Sequence, residues 1–195
     1  MEGPLRHGDP LIEHSREFAV ILEATSLPGV RLLRPEPHAD KRGLFARTYC
    51  RETFAAAGID FTPLQMSTSF NRIAGTLRGL HWQEAPHGEA KLVRVTRGAM
   101  FDVAVDLRAD SPTYRKWFGL ELSAENRLSL FIPAGFAHGF ITLEDETEIA
   151  YAIDAAYAPV AARGARFDDP AFAIAWPLAP SLVGERDLAW PGFEG

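Results

Sequence analysis

The chain has 195 residues, of which 47% are hydrophobic and 24% charged, a globular balance that excludes a wholly disordered protein. At roughly 150 residues per domain, this length predicts one domain with a short appendage. The net charge of −6 argues against a nucleic-acid-binding protein, which normally has a basic excess.

Two further features concern the compartment. The single cysteine, Cys50, excludes an internal disulfide and favours a reducing, cytoplasmic location. No apolar run approaches the roughly 20 residues that cross a bilayer, and the N-terminal segment lacks the apolar core of a signal peptide. We therefore expect a cytoplasmic protein that contacts neither membrane nor nucleic acid.

The first part of the chain predicts short strands and one helix. Residues 1–27 are mostly polar and without a clear period, which predicts an N-terminal extension to a domain over residues 28–195. Strands are expected over residues 30–34 and 44–49, where apolar residues are bounded by proline or glycine. A short helix is expected over residues 53–57, because a glycine follows it at the usual end position.

Strand signals dominate the rest of the chain. Short apolar or alternating runs recur about every 8–12 residues without intervening helices, which predicts an all-β antiparallel sandwich or barrel. The C-terminal segment from Trp176 is punctuated by proline, and we expect it to lie over the outside. The expected strands cover residues 76–83, 90–97, 99–107, 117–122, 129–132, 138–143 and 148–153.

Two histidines flanked by glycine are the clearest functional signal. His81 lies in RGLHWQ and His138 in PAGFAHGF. Glycine beside a polar side chain in a strand often marks the close approach of a ligand or of another backbone. In a regular strand Arg78 and His81 face opposite sides, unless a bulge intervenes. Lys91 precedes an apolar run, and a lysine is seldom buried unless paired. A binding site and a pair of hydrogen-bonded core histidines are about equally consistent with these residues.

The sequence does not favour a metal site. Gln83, a poor metal ligand, stands two residues after His81, so His138 would bring the imidazole ligands to at most two. Cys50 has arginines nearby but no marked partner base, and no glycine-rich phosphate loop is present. We expect neither a metal nor a cofactor.

Taken together, the motifs resemble the nucleotide-sugar 3,5-epimerases, the dTDP-4-dehydrorhamnose 3,5-epimerase family. The resemblance covers residues 28–193, and RGLHxQ and PxGFAHGF are its most distinctive blocks. It implies the cupin fold, a double-stranded β-helix or jelly-roll barrel with a few short helices. It also implies a metal-free site in the mouth of the barrel and a homodimeric assembly. The other matching blocks are KRGLF, KLVRV, FDVAVDLR, LSAEN, DDP, IAWP and ERD.

The resemblance also implies a reaction. The family's substrate is a nucleoside-diphosphate 4-keto-6-deoxyhexose, whose C4 ketone acidifies the C–H bonds at C3 and C5. By position, His81 matches the base and Asp187 the carboxylate that orients it. Tyr151 matches the acid that reprotonates the opposite face, and Lys91 the group that stabilises the enolate oxygen.

Substrate binding is assigned by the same resemblance. Arg78 and His138 match positions near the diphosphate, and Arg42 matches one supplied by the neighbouring subunit. Arg186 stands where the family usually has lysine. Gln65 begins a run that helps to hold the nucleotide and sugar.

Departures from the family pattern leave the nucleoside open. The run that begins at Gln65 reads Gln-Met-Ser, with Ser67 in place of asparagine, and Arg47 and Ala162 stand where the dTDP-rhamnose enzymes carry glutamate. A GDP- or CDP-linked keto sugar is therefore an alternative substrate, with epimerisation at C3 or C5 alone. A non-catalytic or metal-binding cupin is the alternative that lacks this activity.

Overall fold

Two antiparallel β-sheets face each other in the computed structural model, which describes residues 20–194. The strands, in chain order, are β1 Val20–Ala24, β2 Arg31–Pro35, β3 His38–Asp40, β4 Gly43–Phe45, β5 Gln65–Asn71, β6 Thr76–Gln83, β7 Lys91–Arg97, β8 Ala99–Asp106, β9 Trp117–Ser123, β10 Ser129–Ile132, β11 Phe136–Thr142, β12 Thr147–Ile153, β13 Ala162–Gly164 and β14 Leu182–Val183. The two short helices are α1 Arg51–Ala56 and α2 Glu185–Leu188.

The sheet order explains how distant parts of the chain meet. The first sheet has the order β1-β2-β10-β7-β12-β5, and the second has the order β13-β6-β11-β8-β9. Strand β14 adds to β6 in parallel, and β3 and β4 form a separate hairpin. This confirms the predicted all-β class and the double-sheet architecture of the cupin barrel.

Side-chain alternation divides the molecule into three apolar layers. Between the sheets lies a core from both of them, which includes Val93, Met100 and Phe140. The outer face of the second sheet is covered by the C-terminal segment, where Phe172 and Trp176 pack on residues such as Val103. Helix α1 and its aromatic neighbours cover the outer face of the first sheet. Polar side chains on the intersheet face are therefore exceptions that need an explanation.

The N-terminal boundary differs from the prediction. Val20–Ala24, which the sequence assigned to an extension, form β1 of the first sheet and pair with β2, with Val20 opposite Pro35. Val20 and Leu27 are almost fully buried. The segment is too short to show a period, and its burial depends on distant partners. Residues 1–19 lie outside the described residues.

Other element predictions were wrong in extent. Of the predicted strand at 44–49, only Leu44 and Phe45 are in a strand, which begins at Gly43 and lies in the exposed hairpin with β3. Strand β5 was missed because its sequence, QMSTSFN, lacks an alternating apolar pattern; its pairing with β12 makes it a strand. Helix α2 was missed because four residues give no period.

Within residues 20–194, no helix is long and apolar enough to span a bilayer.

Candidate active site

A bulge in β6 brings Arg78 and His81 to the same face of the second sheet. On β11, His138 pairs with His81 and Phe140 pairs with Arg78. The two β6 residues are three positions apart and their β11 partners only two, so β6 carries one extra residue, a β-bulge. The glycine at position 79 permits this, because its φ is +123° and a Cβ there would lie 2.5 Å from the Cα of Gly139. Since Phe140 belongs to the intersheet core, Arg78 and His81 both point between the sheets.

Helix α2 delivers a buried carboxylate to His81. Nε2 of His81 lies 2.6 Å from Oδ1 of Asp187, and the backbone N–H of Gly79 donates to Oδ2 at 3.1 Å. Burial alone would raise the pKa of Asp187, but its hydrogen bonds with His81 and the Gly79 N–H outweigh that effect and lower it. An ionised carboxylate at this distance fixes the orientation of the imidazole ring.

His81 opens into a small cavity of about 130 Å³. Its side chain is 43% exposed, whereas that of Asp187 is 8% exposed. Arg186 lines the same cavity, with its guanidinium 5.2 Å from the centre of the Trp190 ring. The other lining residues are Trp82, Gln83, Glu89, Tyr157, Ala162 and Arg163. An imidazole and a guanidinium group therefore line the same cavity.

Tyr151 lies on β12, in the opposite sheet. Its ring centroid is 6.0 Å from that of His138, in an edge-to-face arrangement. Burial raises the pKa of Tyr151 far above its ordinary value, and the charge of Asp102 adds to this while Arg78 opposes it. The phenol therefore keeps its proton at neutral pH.

His138 connects Tyr151 with His81. It is buried and directly opposite His81 on the neighbouring strand, and it packs against Tyr151 across the intersheet space. Tyr151 is not among the residues that line the His81 cavity. Both side chains nevertheless face the space between the sheets, on either side of His138.

Lys91 also points into this space, because it lies two residues before the core residue Val93. Its side chain is 10% exposed, and Nζ lies 2.7 Å from Oε1 of Glu89. The expectation that this lysine has a partner if buried is therefore met.

The remaining expected binding residues fall into two groups. In one group, Arg78 donates from Nε to Asn71 at 2.8 Å, and Gln65 accepts from the backbone N–H of Tyr157 at 3.2 Å. Ser67, in the same group, lies opposite Tyr151 in the β5–β12 pairing. These three side chains border the intersheet space around Tyr151.

Arg42 and Arg47 form the second group and lie elsewhere. Arg42 forms an ion pair with Asp40 in its own hairpin, and its side chain is 83% exposed. Both arginines line a surface depression of about 710 Å³ around that hairpin. The chain does not bring these two arginines to its own His81 cavity.

Two acidic residues of the site had no assigned role at the sequence level. Asp102 is fully buried, lies 2.6 Å from Nε2 of His138, and leaves its second oxygen without a hydrogen-bond partner. An acid within the apolar run AMFDVAV was the available signal. Glu89 lines the His81 cavity, and its only sequence signal is its position two residues before Lys91.

A metal centre is not formed by the described residues, since no three histidine, cysteine, aspartate or glutamate side chains of residues 20–194 are grouped to hold an ion. The available chemistry is proton transfer: a histidine–carboxylate pair, a neutral phenol, an ammonium group and arginines. These side chains, held in a double-stranded β-barrel, are typical of an isomerase that moves protons on an anionic substrate.

Comparison with known proteins identifies the family. The family model described as dTDP-4-dehydrorhamnose 3,5-epimerase matches residues 24–195. The chain is 44% identical to the dTDP-4-dehydrorhamnose 3,5-epimerase of Sinorhizobium fredii over 172 residues, 88% of each chain. It belongs to the dTDP-4-dehydrorhamnose 3,5-epimerase family, and it is an isomerase of this type.

Two solved structures extend the comparison. The structure of the dTDP-4-dehydrorhamnose 3,5-epimerase from Bacillus anthracis has TDP and PPi bound. It superposes on this chain with a TM-score of 0.87 at 37% identity, and the match covers 90% of this chain and 100% of that chain. That of a 3'-monoepimerase from Streptomyces bikiniensis, in complex with dTDP-quinovose, gives a TM-score of 0.80 at 34% identity, covering 86% and 85%.

Proposed function

We propose that this epimerase acts on a dTDP-linked 4-keto-6-deoxyhexose, with His81 as the base and Tyr151 as the acid. The observation that carries the proposal is the 2.6 Å contact between His81 and the buried Asp187, at the edge of the intersheet space that Tyr151 faces from the other sheet. The TDP in the Bacillus anthracis structure and the dTDP-sugar in the Streptomyces bikiniensis structure support a thymidine nucleotide.

The chemistry begins at the ketone. Its carbonyl makes the neighbouring C–H acidic, so that His81 removes the proton and the electron pair moves to the ketone oxygen as an enolate. Asp187 stabilises the imidazolium that results. Lys91 offers N–H donors to the enolate oxygen, a stabilisation that grows as the negative charge develops. Tyr151 then gives its proton to the other face of the same carbon, which inverts the centre.

The diphosphate requires cations beside these groups. Arg78 and Arg186 supply guanidinium groups, which bind phosphate oxygens in a bidentate manner. Gln65 and Ser67 supply polar contacts from β5 for the nucleotide and sugar. His138, which is buried beside Tyr151 and paired with Asp102, is assigned to the diphosphate together with Arg78.

We also propose that the protein is a homodimer in which Arg42 and Arg47 reach the partner's site. Their hairpin carries Leu44 and Phe45, whose surfaces are 45% and 61% exposed, and Met66 on the edge strand β5 is 80% exposed. Exposed apolar side chains on a hairpin and on the edge strand of a sheet are typical of an interface.

Light scattering tests the dimer. The expected mass is twice the 21.5 kDa of one chain. In mixed dimers of Arg42→Ala and His81→Ala chains, one site per dimer should recover activity, because one half of the mixed dimer then combines an intact arginine with an intact base. A monomer, or mixtures no more active than the parent variants, would contradict a site completed by the partner.

A cytoplasmic, single-domain protein with its C-terminal segment packed on the barrel is part of the same proposal. The free thiol of Cys50 supports a reducing compartment.

A solvent-exchange assay tests the reaction and its position. Incubation with dTDP-4-keto-6-deoxyglucose in deuterated water should place deuterium at both C3 and C5, as expected for a 3,5-epimerase. Deuterium at C3 alone would instead match the type of the Streptomyces bikiniensis relative. GDP- and CDP-linked keto sugars serve as matched substrates, and turnover of these in preference to the dTDP sugar would overturn the nucleoside assignment. Absence of exchange with all three would refute the proposed chemistry.

A further inference from the structure

Glu89 carries a largely buried charge that the mechanism above does not use. Its side chain is 13% exposed, and Oε1 lies 2.7 Å from Nζ of Lys91, which is itself 10% exposed. Glu89 also lines the cavity into which His81 opens. A pair of ions withdrawn from water loses much of its hydration, so its attraction alone is weak evidence that it serves stability. Its position beside the reacting groups suggests a different use.

Gln83 fixes the orientation of the Glu89 carboxylate. The amide nitrogen of this buried glutamine lies within hydrogen-bonding distance of three acceptors: the backbone carbonyl of His87 at 3.0 Å, Oε2 of Glu89 at 3.1 Å and the backbone carbonyl of Ala156 at 3.2 Å. Its carbonyl oxygen accepts from the N–H of Ala158 at 2.6 Å. The amide oxygen is therefore held by the chain that follows β12, and the amide nitrogen is shared among that chain, the loop after β6 and Glu89. One carboxylate oxygen is held by Gln83, and the other is directed to Lys91.

We propose that Glu89 is a positioning residue for the epimerisation, holding the ammonium of Lys91 at the cavity before substrate arrives. The proposal rests on the proposed function, because it uses the role given there to Lys91. A lysine side chain has many rotamers, and fixing it in advance removes the reorganisation that would otherwise accompany formation of the enolate. An ammonium group has three N–H donors, so the contact with Glu89 leaves two for the substrate.

Glu89→Gln is the variant that tests this idea. The glutamine has nearly the same shape and still bonds to Gln83, but it no longer holds Lys91 by charge. We expect kcat to fall about 10–100-fold, the size of effect that a displaced group produces, with KM changed less than about threefold. Glu89→Asp keeps the charge and should recover part of kcat. A raised KM with unchanged kcat would overturn the proposal, because Glu89 would then act in substrate binding.

The coupling to Lys91 is measured by a double-mutant cycle. In the Lys91→Met background, Glu89→Gln should change kcat by less than about twofold, because the residue it acts through is gone. A fall of the same factor in both backgrounds would overturn the positioning role. The measurement is the rate of deuterium entry from solvent, followed long enough to quantify slow variants.

The outcomes also separate this proposal from the reaction itself. Wild-type protein without solvent exchange would refute the proposed function, whereas slow Lys91→Met beside a fully active Glu89→Gln would refute the positioning role alone. Glu146→Gln, which removes the carboxylate of an exposed ion pair with Arg97, is the matched control and should keep wild-type kcat. If Glu89→Gln does not fold, Glu89→Asp takes its place in the cycle, and it must lower kcat only where Lys91 is present.

Discussion

His81→Ala should lower kcat by about 10²–10⁴-fold, the usual contribution of a general base. The rate of deuterium entry at the substrate carbons should fall by the same factor. The reason is that abstraction of the proton precedes every later step. Dissociation constants for dTDP should change little, since the imidazole is assigned to the sugar's C–H bond and the arginines to the diphosphate. Both quantities are measured on the same protein, by exchange and by calorimetric titration.

His87→Asn is the matched control for this variant. The His87 side chain is exposed on the loop that follows β6, outside the lining of the His81 cavity. Its kcat should equal that of the wild type. Near-normal exchange in His81→Ala would remove this histidine from the role of base, whereas equal losses in both histidine variants would point to a general structural effect of substitution in this part of the chain.

Many of the strands could be predicted from the sequence, because a short apolar run indicates a strand that is buried on both faces. Strands β6 and β10 form over the residues predicted for them, where short apolar runs lie between the turn residues. Strand β5 escaped detection because its neighbour β12, rather than its own pattern, makes it a strand. The same holds for β1, whose short segment gains its burial from β2 and the aromatic cluster beneath it.

The site was predictable where a residue's neighbours in sequence are also its neighbours in space. His81 and Lys91 stood out within their own strands. Asp187 could be linked to His81 only through family resemblance, because helix α2 approaches β6 from more than 100 residues away. Whether Arg78 shares the face of His81 depended on a bulge, and a bulge is a property of two paired strands rather than of one. Glu89 lies only two residues before Lys91, but that spacing alone does not predict an ion pair, so Glu89 was missed.

Tyr151→Phe should separate the two proton transfers that His81→Ala removes together. The variant lacks the phenolic proton but keeps the ring that packs against His138, so His81 can still remove the C–H proton and return a deuteron to the same face. Product formation should therefore fall by about 10²–10⁴-fold, while deuterium entry into recovered, uninverted substrate falls much less. Quantitative NMR of substrate and product from one incubation measures both.

The raised pKa of Tyr151 sharpens this expectation. Burial keeps the phenol protonated throughout the neutral range, so the difference between wild type and Tyr151→Phe should not depend on pH between about 6 and 9 on account of this group. Tyr114→Phe removes a phenol from the outer groove beside Trp190 and should leave both rates unchanged. If Tyr151→Phe loses exchange and inversion to the same degree, the tyrosine is needed before the enolate forms. That outcome would contradict the proposal that Tyr151 is a separate acid on the second face.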